Sequence, residues 1–125
     1  MKEKLELEYT INSSPKVLFT RLSTPAGLAE WFADDVNVQG KIFTFLWEGT
    51  EQPAELVARK ENKYVRYRWL DEEDDKLYFE FRINIDELTG DVALVIIDFV
   101  DEDEKSDAID LWDSQIAELK RVIGL

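Results

Sequence analysis

The 125-residue chain has no cysteine and no histidine. Without an imidazole there is no Ser-His-Asp triad, no Cys-His pair and no histidine acting as general base. Disulfides and zinc sites built from thiolate and imidazole are excluded with them, so cysteine usage says nothing about redox compartment. Long apolar runs are missing as well. The longest, Val92 to Ile97, is far too short to cross a bilayer. Met1 to Glu8 lacks the apolar core of a secretory signal, so a cytoplasmic protein with no membrane partner is expected.

Charge of one sign dominates. Twenty-eight Asp and Glu stand against 15 Lys and Arg, a net charge of −13. Nucleic-acid binding draws on clustered cations and counterion release; no basic cluster is present, and nucleic acid is not expected as a partner. The acidity serves solubility first, with a basic protein surface as the sharper alternative. Hydrophobic residues make up 45% of the chain, including seven Phe, four Tyr and four Trp. A chain of this length buries roughly two thirds of its unfolded surface as one domain. No repeat, linker or low-complexity segment divides it, so residues 1–125 read as a single, monomeric unit.

Leu5, Leu7, Tyr9 and Ile11 alternate with Glu6, Glu8 and Thr10, the period of a half-buried strand. Ser14-Pro15 and Thr24-Pro25 each place a capping hydroxyl before a proline suited to a first helical turn. They predict two short helices within residues 15–32, the second running through Leu28, Trp31 and Phe32. Strands follow from Asp34 to Phe99, about six in number. Phe43, Phe45 and Trp47 share one face, Ala54–Arg59 and Tyr64–Trp69 form a hairpin, Asp71–Asp75 is a loop, and Leu77 to Ile85 alternate. Thr89-Gly90-Asp91 turns into a last strand, Val92 to Phe99, apolar on both faces. Ile109, Trp112, Ile116, Leu119 and Ile123 then fall at spacings of three and four, an amphipathic helix of about four turns. Helices gathered at the ends of an antiparallel run imply an α+β fold.

This order, with Ile11-Asn12-Ser13-Ser14-Pro15, Leu28-Ala29-Glu30-Trp31-Phe32, Gly40 with Phe43 to Trp47, Val65 to Trp69 and the closing helix with Trp112 and Leu119, resembles the START-like, or helix-grip, superfamily of the birch-pollen allergen and the polyketide cyclases. Within it the chain is most similar to the branch related to the activator of the heat-shock-protein-90 ATPase. The resemblance implies a curved sheet of about six or seven strands wrapped on the C-terminal helix, with a cavity between them that often holds apolar molecules. Tyr67, Trp69, Phe79, Phe81, Ile83, Asp98, Trp112 and Ile116 are the candidate lining; the plainer alternative is that the same aromatic stripe simply fills the core.

Other constellations have bland readings. Asp98 interrupts the last apolar strand: facing the dry side it becomes a base or ligand anchor, but a strand-end position facing solvent or a basic residue is the plainer expectation. Arg66 and Arg68 are expected to point outward in salt bridges. Trp31 and Phe32 are expected inward. The acidic runs Asp71–Asp75 and Asp101–Glu104 lack the spacing and glycine of a calcium loop. No metal, cofactor or catalytic residue is assigned. A non-enzymatic module binding a small apolar or amphipathic ligand leads, ahead of a protein-interaction module resembling the ATPase activator and of a cyclase- or hydrolase-like enzyme.

Overall fold

The computed structural model describes all residues, 1–125. The strands are β1 (Lys2–Thr10), β2 (Asp35–Gln39), β3 (Ile42–Trp47), β4 (Thr50–Lys60), β5 (Tyr64–Trp69), β6 (Phe79–Ile85) and β7 (Val92–Asp101). The helices are α1 (Pro15–Ser23), α2 (Pro25–Leu28) and α3 (Lys105–Ile123). One seven-stranded sheet runs β1-β7-β6-β5-β4-β3-β2, every pair antiparallel. Strands β2 to β7 form a meander. The first strand returns against the last, opposing Leu5 to Asp98, Leu7 to Ile96 and Tyr9 to Leu94. This is the α+β helix-grip architecture expected. No helix is long and apolar enough to cross a membrane.

Both short helices start as their sequences dictate. Ser14 Oγ accepts from the Val17 amide at 3.1 Å, and Thr24 Oγ1 accepts from Gly27 at 3.0 Å. The second is shorter than expected, ending at Leu28. Beyond it the amides of Trp31, Phe32 and Ala33 all donate to the Leu28 carbonyl, a tight coil that turns the chain towards β2. Other bounds shift for equally local reasons. Leu77 belongs to the acidic loop because its amide donates to the Asp74 carbonyl, so β6 opens at Phe79. The last strand runs on to Asp101, and α3 has 19 residues, roughly five turns. Gly124 ends it with φ 90°, a left-handed cap open to glycine.

A bulge between Leu56 and Ala58 interrupts β4. Beyond it Arg59 opposes the buried Val65, and its guanidinium covers the Phe19 ring at 5.2 Å. The convex face is less bare than a solvated sheet face. Glu80 has a side chain only 1% exposed and accepts from Arg66 Nε at 2.8 Å and Arg82 Nε at 2.9 Å. Those guanidiniums lie over the rings of Tyr78 and Tyr64, at 4.0 and 4.7 Å. Arg66 thus points outward and is paired, as expected. Arg68 has no carboxylate partner; its Nη2 donates to the Glu72 carbonyl at 3.0 Å.

The helix α1–α2 corner sits on the core through Gly27. A Cβ there would lie 2.3 Å from the Thr20 carbonyl oxygen and 2.7 Å from Arg21 Cα, backbone atoms with nowhere to retreat. Gly27→Ala is expected to lower unfolding free energy by roughly 2 kcal/mol in a denaturant titration. An unchanged midpoint would show that the corner gives way freely.

Candidate functional site

The concave face of the sheet is dry because aromatic rings fill it. Phe43 and Phe45 from β3, Tyr67 from β5, and Phe79 and Phe81 from β6 pack edge-to-face and offset, with Tyr67–Phe79 centroids 5.1 Å apart. Leu18, Leu22 and Leu28 of α1 and α2, and Trp112, Ile116 and Leu119 of α3, belong to the same buried core. Tyr67 carries a hydroxyl into this core and satisfies it by donating to the Leu22 carbonyl at 2.9 Å. Burial pushes its phenol well above the ordinary range.

Phe32 sits where sheet, coil and helix meet, as the inward reading of Trp31 and Phe32 requires. Its ring lies near Phe45, Trp47, Phe79, Phe81 and Trp112. Its carbonyl accepts two side-chain hydrogen bonds, from Trp47 Nε1 at 2.8 Å and Gln115 Nε2 at 3.1 Å. A carbonyl in a coil outside the sheet ladder needs such partners, and both lone pairs are used.

The core borders free space at its rim. A cleft of about 380 Å³ opens between the sheet and α3. Phe32 forms its floor, Trp47, Gln52 and Trp69 come from β3, β4 and β5, and Asp98 from β7. Ala108, Leu111, Trp112 and Gln115 come from α3. Leu111 is 60% exposed, so the cleft is open to water along the helix. On the side towards Glu118 it adjoins a shallower groove that shares Phe32, Trp47 and Gln115.

Of the eight residues singled out from the sequence, the structure brings Trp69, Asp98 and Trp112 together at this cleft. Tyr67, Phe79, Phe81 and Ile116 lie beneath it, at most 2% exposed, packed into the core with Ile83 at 8%. Phe32, Trp47, Gln52, Ala108, Leu111 and Gln115 were not anticipated. Trp47 continues the Phe43–Phe45 stripe and was legible on that ground. The two glutamines and the outer side of α3 carry no periodic signal.

Asp98 corrects the plainer expectation. It faces the concave side rather than solvent, and no basic side chain pairs with it. Its Oδ1 accepts from the Phe99 amide at 2.8 Å and its Oδ2 from Trp112 Nε1 at 3.1 Å. Desolvation holds its pKa above the ordinary 3.8, outweighing those two bonds and the more distant charge of Lys2. Tyr9 ties β1 to α3 nearby, its hydroxyl donating to Asp113 Oδ1 at 2.6 Å. No three carboxylates converge as a metal cage would require.

A model of the START-like superfamily domain matches residues 1–125. The chain belongs to that superfamily. A Bacteroides fragilis protein solved by NMR is 43% identical, with 99% of this chain and 93% of that one covered at a TM-score of 0.70. The START-like frame is also shared with the Aha1 dimer from Colwellia psychrerythraea, at 16% identity, coverage of 94% and 93%, and TM-score 0.78. A Mesorhizobium loti protein solved by crystallography matches at 18% identity, 98% and 97% coverage, and TM-score 0.78. No curated protein matches the chain.

The raised pKa of Asp98 fixes the sign of its effect on stability. A carboxyl that holds its proton more tightly when folded stabilises the protein fully below its unfolded value, 3.8, and loses that contribution as pH rises through the folded value. Asp98→Asn removes this loss. Relative to the parent, the variant is expected to gain stability as pH is raised from about 3 to about 7, read from paired thermal melts. A pH-independent difference, or one of opposite slope, contradicts the desolvated carboxylate.

Proposed function

We propose that this START-like domain binds a small apolar or amphipathic molecule in the rim cleft, without catalysing a reaction on it. The observation that carries the reading is the cleft itself: about 380 Å³, with Phe32, Trp47, Trp69, Leu111 and Trp112 around a few polar groups. Binding pockets combine this volume, from about 300 Å³ upward, with an apolar wall and a small number of orienting polar atoms. Gln52, Asp98 and Gln115 are those atoms here. Enzymatic readings draw less support. General acid–base work needs a group poised near the operating pH with a second group converging on it. Asp98 is the single ionisable residue in the lining.

A module docking on a basic protein is the rival, and its support is the meeting of two acidic runs at one end. Lys2 Nζ bonds Glu72 at 3.1 Å while the N-terminus lies 3.7 Å from Asp101, which brings Asp71–Asp75 and Asp101–Glu104 close. Solubility accounts for that acidity without a partner.

Titration with N-phenyl-1-naphthylamine, an uncharged apolar dye, tests the proposal. Saturable one-to-one enhancement is expected, and Ala108→Trp, which adds an indole to the helix side of the cleft, should weaken it by about tenfold or more. Dye binding that does not saturate, or that ignores Ala108→Trp in a variant with an unchanged melting curve, overturns it.

A further inference from the structure

Resting on the reading of the cleft as an apolar-ligand site, we infer that its occupant is a cationic amphiphile: an amine whose ammonium group meets Asp98 and whose apolar body lies along Trp47 and Trp69. Charge complementarity selects this class. Asp98 is the one charged side chain among the nine lining residues, and neither Lys nor Arg is among them. It takes part in no ion pair. Each of its oxygens accepts a single hydrogen bond, whereas an ionised carboxylate offers about four acceptor positions. The carboxylate is therefore partly buried with acceptor capacity to spare, and desolvation raises its pKa. An ammonium donor supplies a counter-charge and a further charge-assisted hydrogen bond.

The walls favour the same head group. Three of the nine lining residues are Trp47, Trp69 and Trp112, and indoles attract cations more strongly than other aromatic side chains do. A carboxylate-headed amphiphile meets the opposite conditions. It would set a second anion against Asp98, on a molecule of net charge −13. A neutral alcohol can bond Asp98 but gains neither the ion pair nor the cation–π term. Aromatic walls around a lone carboxylate thus discriminate by head-group charge, while the apolar body sets the common background affinity.

Three probes that differ only in the head group test this: octylamine, octanol and octanoate, each displacing N-phenyl-1-naphthylamine at pH 7 below its aggregation concentration. Octylamine, protonated at that pH, is expected to compete about tenfold better than octanol, and octanoate worst. In Asp98→Asn, which removes the charge and keeps an acceptor for one of the two existing hydrogen bonds, the advantage of the amine over octanol should disappear. Equal competition by all three, octanoate leading, or an amine advantage that survives Asp98→Asn each overturns the inference and leaves the apolar-ligand reading standing. If the dye itself finds no saturable site and none of the three probes binds, that underlying reading falls instead. The order of the probes on the parent protein is informative whether or not the variant folds.

Discussion

Phe32 is held at both of its ends, and the arrangement of the concave side follows from that. Its ring lies 5.1–5.8 Å from six other aromatic rings, contributed by its own coil, by β3, by β6 and by α3. Its carbonyl accepts from Trp47 on the sheet and Gln115 on the helix. A single residue in a non-repetitive segment therefore ties together three parts of the chain that are distant in sequence. Rings at these separations add directional attraction to ordinary burial, so the position is fixed in orientation as well as in depth.

With Phe32 in that place, the interior of the grip is occupied. Phe43, Phe45, Tyr67, Phe79 and Phe81 occupy the space beneath it, each at most 4% exposed. What remains is an edge, where the last rings of the stripe, Trp47, Trp69 and Trp112, have a wall on one side and water on the other. Indoles suit that position because each carries a large apolar surface and a single donor. Two of the three donors are used within the protein, by the Phe32 carbonyl and by Asp98. The START-like frame thus offers this chain a shallow aromatic cleft in place of a deep internal chamber.

Much of this was legible in the sequence, and for identifiable reasons. Alternation in Leu5 to Ile11 and Phe79 to Ile83 reports a sheet with one dry face, and the three–four spacing from Ile109 to Ile123 reports the helix that covers it. The hydroxyl–proline pairs set the starts of α1 and α2. Periodicity says which face a side chain takes, however, and not whether neighbouring rings leave a gap. That is why Tyr67, Phe79, Phe81 and Ile116 shared one expectation with Trp69 and Trp112 although only the latter two border free space. Asp98 was ambiguous because an acidic residue near a strand end usually faces water. Its register opposite Leu5 turns it inward. The coil from Ala29 to Asp34 obeys no period at all, and its decisive contacts are backbone-to-side-chain bonds across 15 and 83 residues.

Whether a ligand stays at the aromatic rim of a filled interior is read from the four indole N–H signals in a two-dimensional ¹H–¹⁵N spectrum during titration with octylamine. Trp31 serves as the reference for the core side: it is buried, its Nε1 donates to the Arg21 carbonyl at 2.8 Å, and it lines the adjoining groove but not the cleft. Progressive shifts are expected for Trp47, Trp69 and Trp112 while Trp31 stays in place. Movement of Trp31 together with the methyl groups of Leu18 and Leu22 would mean that the ligand enters the core, and would contradict binding at the rim.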